Sequence, residues 1–389
     1  MKRINTIDFT RGLVMIIMAL DHVRDLTHIN SISQSPTDLS TTTPILFFTR
    51  WITYLCAPIF VFLAGTSAYI SFKRKNNIPE SRRFLFTRGL WLILLEFTVV
   101  NFGIFFNLGF NIFIFEVIAT IGFGFIILSM TMKLSPKFIG IAGLVIIFCH
   151  NLLSLIPFAP NSEAKTIYSL LFSLTAMPVN SHTTFIMAYP PIPWLGIMLV
   201  GFASGIFFEL PVEKRKSLFL KIGLTAVLLF IALRFANIYG DPSKWTSQKN
   251  IAYTSLSFMN ITKYPPSLLF CLITLGIMFL IFAFAENLKG RYWNVVNVYG
   301  KVPMFYFLVH FYLIHCVMIM IMFLQGFNWA SLDFASGTYG RPKGVESGVN
   351  LLTVYLIWVG VVVTLYKPCL WFGKYKSAHK QQKKWLSYF

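Results

Sequence analysis

Pro265-Pro-Ser-Leu-Leu-Phe-Cys-Leu-Ile-Thr-Leu-Gly-Ile-Met-Phe-Leu-Ile-Phe-Ala-Phe-Ala-Glu286 is the stretch whose reading decides the fold. It carries no charge before its closing glutamate. About 20 such residues, rising ~1.5 Å each as a helix, cross the ~30 Å hydrocarbon core of a bilayer. The same signature recurs outward from it, and ten stretches qualify, at 9–28, 51–72, 85–106, 111–132, 137–157, 191–210, 217–238, 265–286, 302–324 and 349–370. The first is the least hydrophobic. The fold class expected is all-α, a polytopic integral membrane protein of about ten transmembrane helices forming a single domain over 1–389, with no soluble domain appended and no internal repeat.

Composition supports a bilayer as the main solvent. Of 389 residues 56% are hydrophobic and 12% charged, with 41 Phe and a mean hydropathy of +0.68, whereas soluble domains carry about a quarter charged residues. Each large apolar side chain left in water would forfeit roughly 1.5–3 kcal/mol of burial. The net charge of +19 does not read as a nucleic-acid surface, because the basic residues are dispersed between apolar runs.

Their placement is topological. With the N-terminus cytoplasmic, alternate connections hold Lys73, Arg74, Lys75, Arg82, Arg83 and Arg88; Lys133 and Lys137; Lys214, Arg215, Lys216 and Lys221; and Lys289, Arg291 and Lys301. The tail adds Lys367, Lys374, Lys376, Lys380, Lys383 and Lys384. With Lys2, Arg3 and Arg11 that side takes 24 of the 33 basic residues, which predicts both termini in the cytoplasm. The run after Lys2 and Arg3 ends in Asp21-His22-Val23-Arg24-Asp25 without a small-residue cleavage pattern, so it reads as a retained first helix. The longer outer connections, 24–50, 158–190, 239–264 and 325–348, have the length of segments that cap or line something. Five single cysteines (Cys56, Cys149, Cys271, Cys316, Cys369) without Cys-x-x-Cys spacing read as buried hydrophobes.

An ionisable residue inside a span is a functional candidate by default. These are Asp21, His22, Arg24 and Asp25 in the first span, Glu96 in the third, Glu116 in the fourth, Arg234 in the seventh, and His310 and His315 in the ninth. Arg11 and His22 are eleven residues apart, close to three turns, and share a face about 16 Å long. A carboxylate beside a histidine fixes its tautomer and suits it to act as a base or acyl acceptor, though the same residues could form a solvated cap, with His28 interfacial. Glu96 reads as the partner of an arginine or histidine on another helix, and Glu116 and Arg234 as partners of each other. Ala64, Gly65, Ser67 and Ala68 predict close helix packing. Tyr189 to Gly196 and Lys263 to Ser267 are rigid proline-rich approaches to spans six and eight that could shape a substrate mouth. No phosphate-binding glycine loop, His-Glu-x-x-His or Gly-x-Ser-x-Gly competes.

Ile7-Asp8-Phe9-Thr10-Arg11-Gly12-Leu13-Val14-Met15 through Asp21-His22 resembles the first helix of transmembrane acyltransferases, with its basic residue and histidine separated by ten positions. Taken with Cys56-Ala57-Pro58 through Gly65-Thr66-Ser67, Tyr189 through Gly196, Lys263 through Ser267 and Gly300 through His310, the chain is similar to the bacterial relatives of heparan-alpha-glucosaminide N-acetyltransferase. It departs from the lysosomal member, whose asparagine and acyl-carrying histidine fall on His22 and Ser33; His22 fits the broader pattern instead. The resemblance implies acyl transfer from cytoplasmic acyl-CoA, expected to be acetyl-CoA, to a hydroxyl or amine of a sugar or envelope glycan, without a metal. It implies His22, Asp21, Asp25 and His310 as catalytic candidates and Arg11 and Arg88 as binders of the acyl-CoA. Arg24, His28, Arg50, Trp194, Lys263 and Tyr264 are the candidates for the acceptor. The expected partners are membrane lipid, acyl-CoA and a glycan or other small acceptor, with no nucleic acid, a second copy of the chain being open, and the expected location is the bacterial cytoplasmic membrane. A transporter or flippase for a small polar or glycolipid substrate is the alternative reading.

Overall fold

The computed structural model describes residues 4–159, 162–288, 290–379 and 382–387. Lys2, Arg3, Lys289 and Lys380, counted above on the cytoplasmic side, lie outside the described residues. The first helix, α1 (Asn5–Thr27), is followed by α2 (Pro44–Thr53), α3 (Cys56–Lys75) and α4 (Ile78–Leu95). A π-helical turn at Glu96–Val100 then leads into the short α5 (Asn101–Phe105) and the strand β1 (Ile112–Phe115). Next come α6 (Val117–Thr131), α7 (Pro136–Cys149), α8 (Glu163–Phe172), strands β2 (Thr175–Pro178) and β3 (Thr184–Met187), α9 (Pro191–Ser204), α10 (Val212–Ala236) and α11 (Ile251–Met259). The chain finishes with α12 (Leu268–Ala285), α13 (Arg291–Lys301), α14 (Pro303–Leu324) and α15 (Leu351–His379).

Among the described residues, eight helical segments are long and apolar enough to cross a membrane: Pro44–Lys75, Ile78–Phe105, Pro136–Leu155, Pro191–Glu209, Val212–Ala236, Leu268–Ala285, Pro303–Leu324 and Leu351–His379. The protein is an all-α, multi-pass integral membrane protein. The two further spans expected from the sequence fall short for different reasons. α1 has the length but also Asp8, Arg11, Asp21, Arg24 and Asp25. α6 has only 15 residues, because the first part of the stretch read as 111–132 is strand β1 rather than helix.

Local signals set the helix starts. Asn77, Ser135 and Ser267 accept hydrogen bonds from the backbone N–H groups of Glu80, Phe138 and Phe270, capping α4, α7 and α12. Prolines stand at the first turns of α2, α4, α7, α9 and α14, where a missing N–H loses no helical bond.

α1 is the hub, touching α2, α3, α12, α13, α14 and α15. That position lets a charged helix persist, since its polar groups meet protein instead of lipid. Its contact with α13 depends on two glycines. A Cβ at Gly300 would stand 1.8 Å from the carbonyl oxygen of Asp8, and one at Gly12 2.0 Å from that of Val296. The small residues of α3 pack as expected, with Gly65 against the backbone of Met198 on α9.

One end of the bundle carries the ordered connections. β1 pairs parallel with β3 and β2 antiparallel with β3, placing Phe113 opposite Phe185. The start of α5 ties this sheet to the helices: Asn101 donates to Ile112 O and accepts from Ile114 N. Arg234 is not the partner of Glu116. Its guanidinium donates to the carbonyls of Ser243, Ser257, Phe258 and Asn260 at 2.7–3.0 Å, supplying the donors that gather the 239–264 connection. Arg341 does the same for 325–348, donating to His28 O, Ile29 O, Ser31 Oγ and the carbonyl of Ser347. Burial pulls its pKa down to about 10, still well above neutral pH. The opposite end of the bundle holds Arg11 of α1 and Lys376 of α15 around one cavity, so the first and last helices present their terminal ends on the same side.

Candidate active site

His22 of α1 and His310 of α14 meet in the interior, with His22 Nδ1 2.6 Å from His310 Nε2. The second nitrogen of His310, Nδ1, lies 3.1 Å from the carbonyl oxygen of Tyr306, one turn back on the same helix. A carbonyl only accepts, so His310 carries its proton on Nδ1 and its Nε2 is an acceptor. His22 must then donate from Nδ1. The lone pair of a neutral His22 is therefore on Nε2. Phe311 holds the ring from its face, the centroids being 4.3 Å apart, and His22 lines a cavity of about 100 Å³ while His310 is fully buried behind it.

The aspartates expected to orient His22 are engaged elsewhere. Asp21 Oδ1 accepts from Thr53 at 2.8 Å and forms an ion pair with Arg24 at 2.8 Å, and Oδ2 accepts from Arg50 at 2.5 Å. Asp25 accepts from Arg24 at 2.6 Å. Arg24, 2% exposed, thus bridges both carboxylates from within α1 and lies off the cavity wall. Arg50 of α2 brings the second cation across, which fixes α2 against α1 and leaves Asp21, Asp25 and Arg50 on the cavity wall beside His22.

Lys263, Tyr264, Tyr189, Glu116 and Tyr339 complete the polar part of that wall. The Lys263 ammonium lies 4.9 Å from the centroid of Tyr264 and 5.9 Å from those of Tyr54 and Tyr189, within cation–π range. Trp194, expected at the substrate mouth, is instead fully enclosed behind Tyr189, with centroids 4.8 Å apart. The burial of its whole indole makes it a support for the wall. His28 is also displaced from the site: it caps α1, its backbone bridging to Val349 and its carbonyl held by Arg341.

A second cavity, of about 750 Å³, opens below the first toward the end of the bundle where α1 begins. Arg11 and Arg88 both line it, and with them Lys75, Lys301 and Lys376; Glu80 is the acid among its lining residues. Arg11 is positioned by hydrogen bonds to Ser67 Oγ at 3.0 Å and Gly300 O at 3.3 Å. Arg88 spreads over the rings of Phe84 and Phe125. Five cations around a cavity of this size suit a polyanionic ligand.

Two other polar residues singled out in the sequence are structural. Glu96, fully buried, accepts from the backbone N–H of Ala119 at 2.7 Å, so its partner is the first turn of α6 rather than a basic side chain. His315 Nε2 lies 2.7 Å from Ile104 O, and its ring stacks on Phe106. Sequence reasoning missed Lys75, Lys301 and Lys376, which read there only as topological charge. It also missed Tyr339, a loop residue with no chemical signal. Glu116 had a signal, its depth in an apolar run, but was assigned the wrong neighbour.

The sequence model of a family described as heparan-alpha-glucosaminide N-acetyltransferase, catalytic, matches residues 3–239. No curated protein matches the chain.

Proposed function

We propose, from the premise that this chain belongs to the heparan-alpha-glucosaminide N-acetyltransferase catalytic family and is a membrane acetyltransferase-type enzyme, that it moves an acetyl group from cytoplasmic acetyl-CoA to a hydroxyl or amine of a glycan presented at the far side. The observation that carries this reading is the relay Tyr306 O, His310, His22, which leaves the Nε2 lone pair free on a ring that lines the upper cavity. A basic cavity lies beneath it. The eleven residues from Arg11 to His22 span about 16 Å along α1, comparable to an extended pantetheine arm. Phosphates held near Arg11, Arg88, Lys301 and Lys376 would then present the thioester near His22.

In the reaction, His22 Nε2 takes the proton from the acceptor hydroxyl or amine as its oxygen or nitrogen attacks the thioester carbonyl. His310 accepts the His22 Nδ1 proton in hydrogen bonding throughout and so supports the imidazolium that forms. The carbon–sulfur bond breaks, and His22 returns the proton to the leaving CoA sulfur. Lys263, a cation on the same wall, offsets the negative charge that develops on the carbonyl oxygen. The acceptor is recognised by the rings of Tyr189, Tyr264 and Tyr339 together with Asp25 and Glu116, a mixture of flat apolar faces and carboxylates that suits a polyol. The weight of basic residues at the lower end supports placing that end in the cytoplasm, and the resemblance to bacterial relatives supports a bacterial cytoplasmic membrane.

The test is release of CoA thiol from acetyl-CoA by the purified protein in liposomes, with a panel of amino sugars and glycans as acceptors. His22→Ala is expected to insert normally and lose acceptor-dependent release. Wild-type release by that variant would overturn the assignment, and movement of a sugar across the liposome without thioester consumption would favour a transporter.

A further inference from the structure

We infer that Phe60 of α3 and Phe307 of α14 form a partition that lets an acetyl group through to His22 and turns back longer acyl chains, an inference that rests on the acyl-transfer reading above. The two cavities share three lining residues, Phe60, Val117 and Phe307. These come from three separate helices, so the boundary is a constriction where α3, α6 and α14 converge. The cations that suit a CoA lie below it and His22 lies above. Whatever the lower cavity delivers to His22 must pass between these side chains.

The partition is stiff on the α14 side. The Phe307 ring centroid is 5.7 Å from that of His310 and 5.4 Å from that of Phe311, the residue stacked on His22. Phe307 is also buried, 5% exposed. It cannot swing aside without disturbing the rings that hold the base. Phe60 is only half-buried and is the side on which width can be changed.

Volume gives the same limit. A thioester carbonyl at His22 directs the rest of its acyl chain onward into the upper cavity, whose volume of about 100 Å³ is less than a seventh of the lower cavity's 750 Å³. An acetyl methyl takes the least of that space, and each further methylene of a longer chain must be housed beside the charged Asp21, Asp25 and Arg50 on the same wall, whereas the lower cavity, at about 750 Å³, would impose no such limit.

The experiment measures dissociation constants of CoA, acetyl-CoA, butanoyl-CoA and hexanoyl-CoA for wild type, Phe60→Ala and Phe60→Leu in nanodiscs. Wild type is expected to bind hexanoyl-CoA at least about tenfold more weakly than acetyl-CoA, and Phe60→Ala to cut that ratio to about twofold, with Phe60→Leu between them. Affinity for unacylated CoA reports whether the lower cavity is intact in each variant, and Phe60→Leu carries the test if the alanine variant fails to fold. A chain-length ratio that is flat in wild type, or unchanged in a variant that binds CoA normally, overturns the partition alone. Failure of wild type to bind CoA or any acyl-CoA overturns the acyl-transfer reading itself.

Discussion

At the scale of single residues, the chemistry rests on which atom of His22 is free. The Tyr306 carbonyl dictates the His310 tautomer, and His310 dictates that of His22. His22→Ala is expected to lower the thiol-release rate by about 10²–10⁴-fold, the usual contribution of a positioned general base. His310→Ala is expected to lower it less, because Nε2 survives on a ring that has lost its orientation; equal losses in the two variants would instead mean that His310 reacts directly. The aspartates predict a stability difference. Asp21 is bound by two arginines with little exposure and Asp25 has a side chain 38% exposed. Asp21→Ala leaves Arg24 and Arg50 buried without that carboxylate and is expected to destabilise by about 3–5 kcal/mol. Asp25→Ala is expected to cost under about 1 kcal/mol, and thermal unfolding of both variants checks the order. Both histidines were legible in the sequence, as ionisable groups deep in apolar runs. Their pairing was not, since 288 positions separate them. The expected Asp21-to-His22 partnership follows sequence adjacency, yet neighbours on a helix do not face each other.

At the scale of elements, the approach of α1 to α13 sets where Arg11 points. Gly300 supplies the carbonyl that Arg11 touches and the absence of a Cβ that lets Asp8 come close. Gly300→Val places side-chain atoms against backbone that cannot yield cheaply, so α13 must move. The expected outcome is weaker acetyl-CoA binding with the protein still inserted, measured as a higher dissociation constant; an unchanged constant would show that this crossing does not position Arg11. Hydropathy made the long helices legible, because twenty uncharged residues have one interpretation in a bilayer. It failed at 111–116 for a physical reason. Short apolar runs read alike as strand and helix, and only the distant β3 makes β1 a strand. Arg234 shows the same limit: its charge invited a carboxylate partner, but the folded connection supplies four carbonyls instead.

At the scale of the whole molecule, the two ends of the bundle differ in kind. One carries the lysine- and arginine-rich turns around the larger cavity, and the other the sheet and the connections held by Arg234 and Arg341 over the smaller one. A donor with several phosphates and an acceptor on a glycan would approach from these opposite ends, and the difference has a direct readout. Single cysteines placed in the connections, in a background with the five native cysteines replaced, report their side by reaction with a membrane-impermeant maleimide. Asp38→Cys, in an exposed turn where the Ser40 hydrogen bonds hold the carboxyl below its ordinary pKa, is expected to react in intact cells. Glu213→Cys, in the first turn of α10 at the basic end, is expected to react only after permeabilisation. The opposite pattern would put the basic cavity outside, away from cytoplasmic acyl-CoA, and would remove the topological support for that donor. Labelling of both in intact cells, with the membrane shown to be sealed, would mean that the ends of the bundle share one side, contrary to the path of α1 from Arg11 to His22.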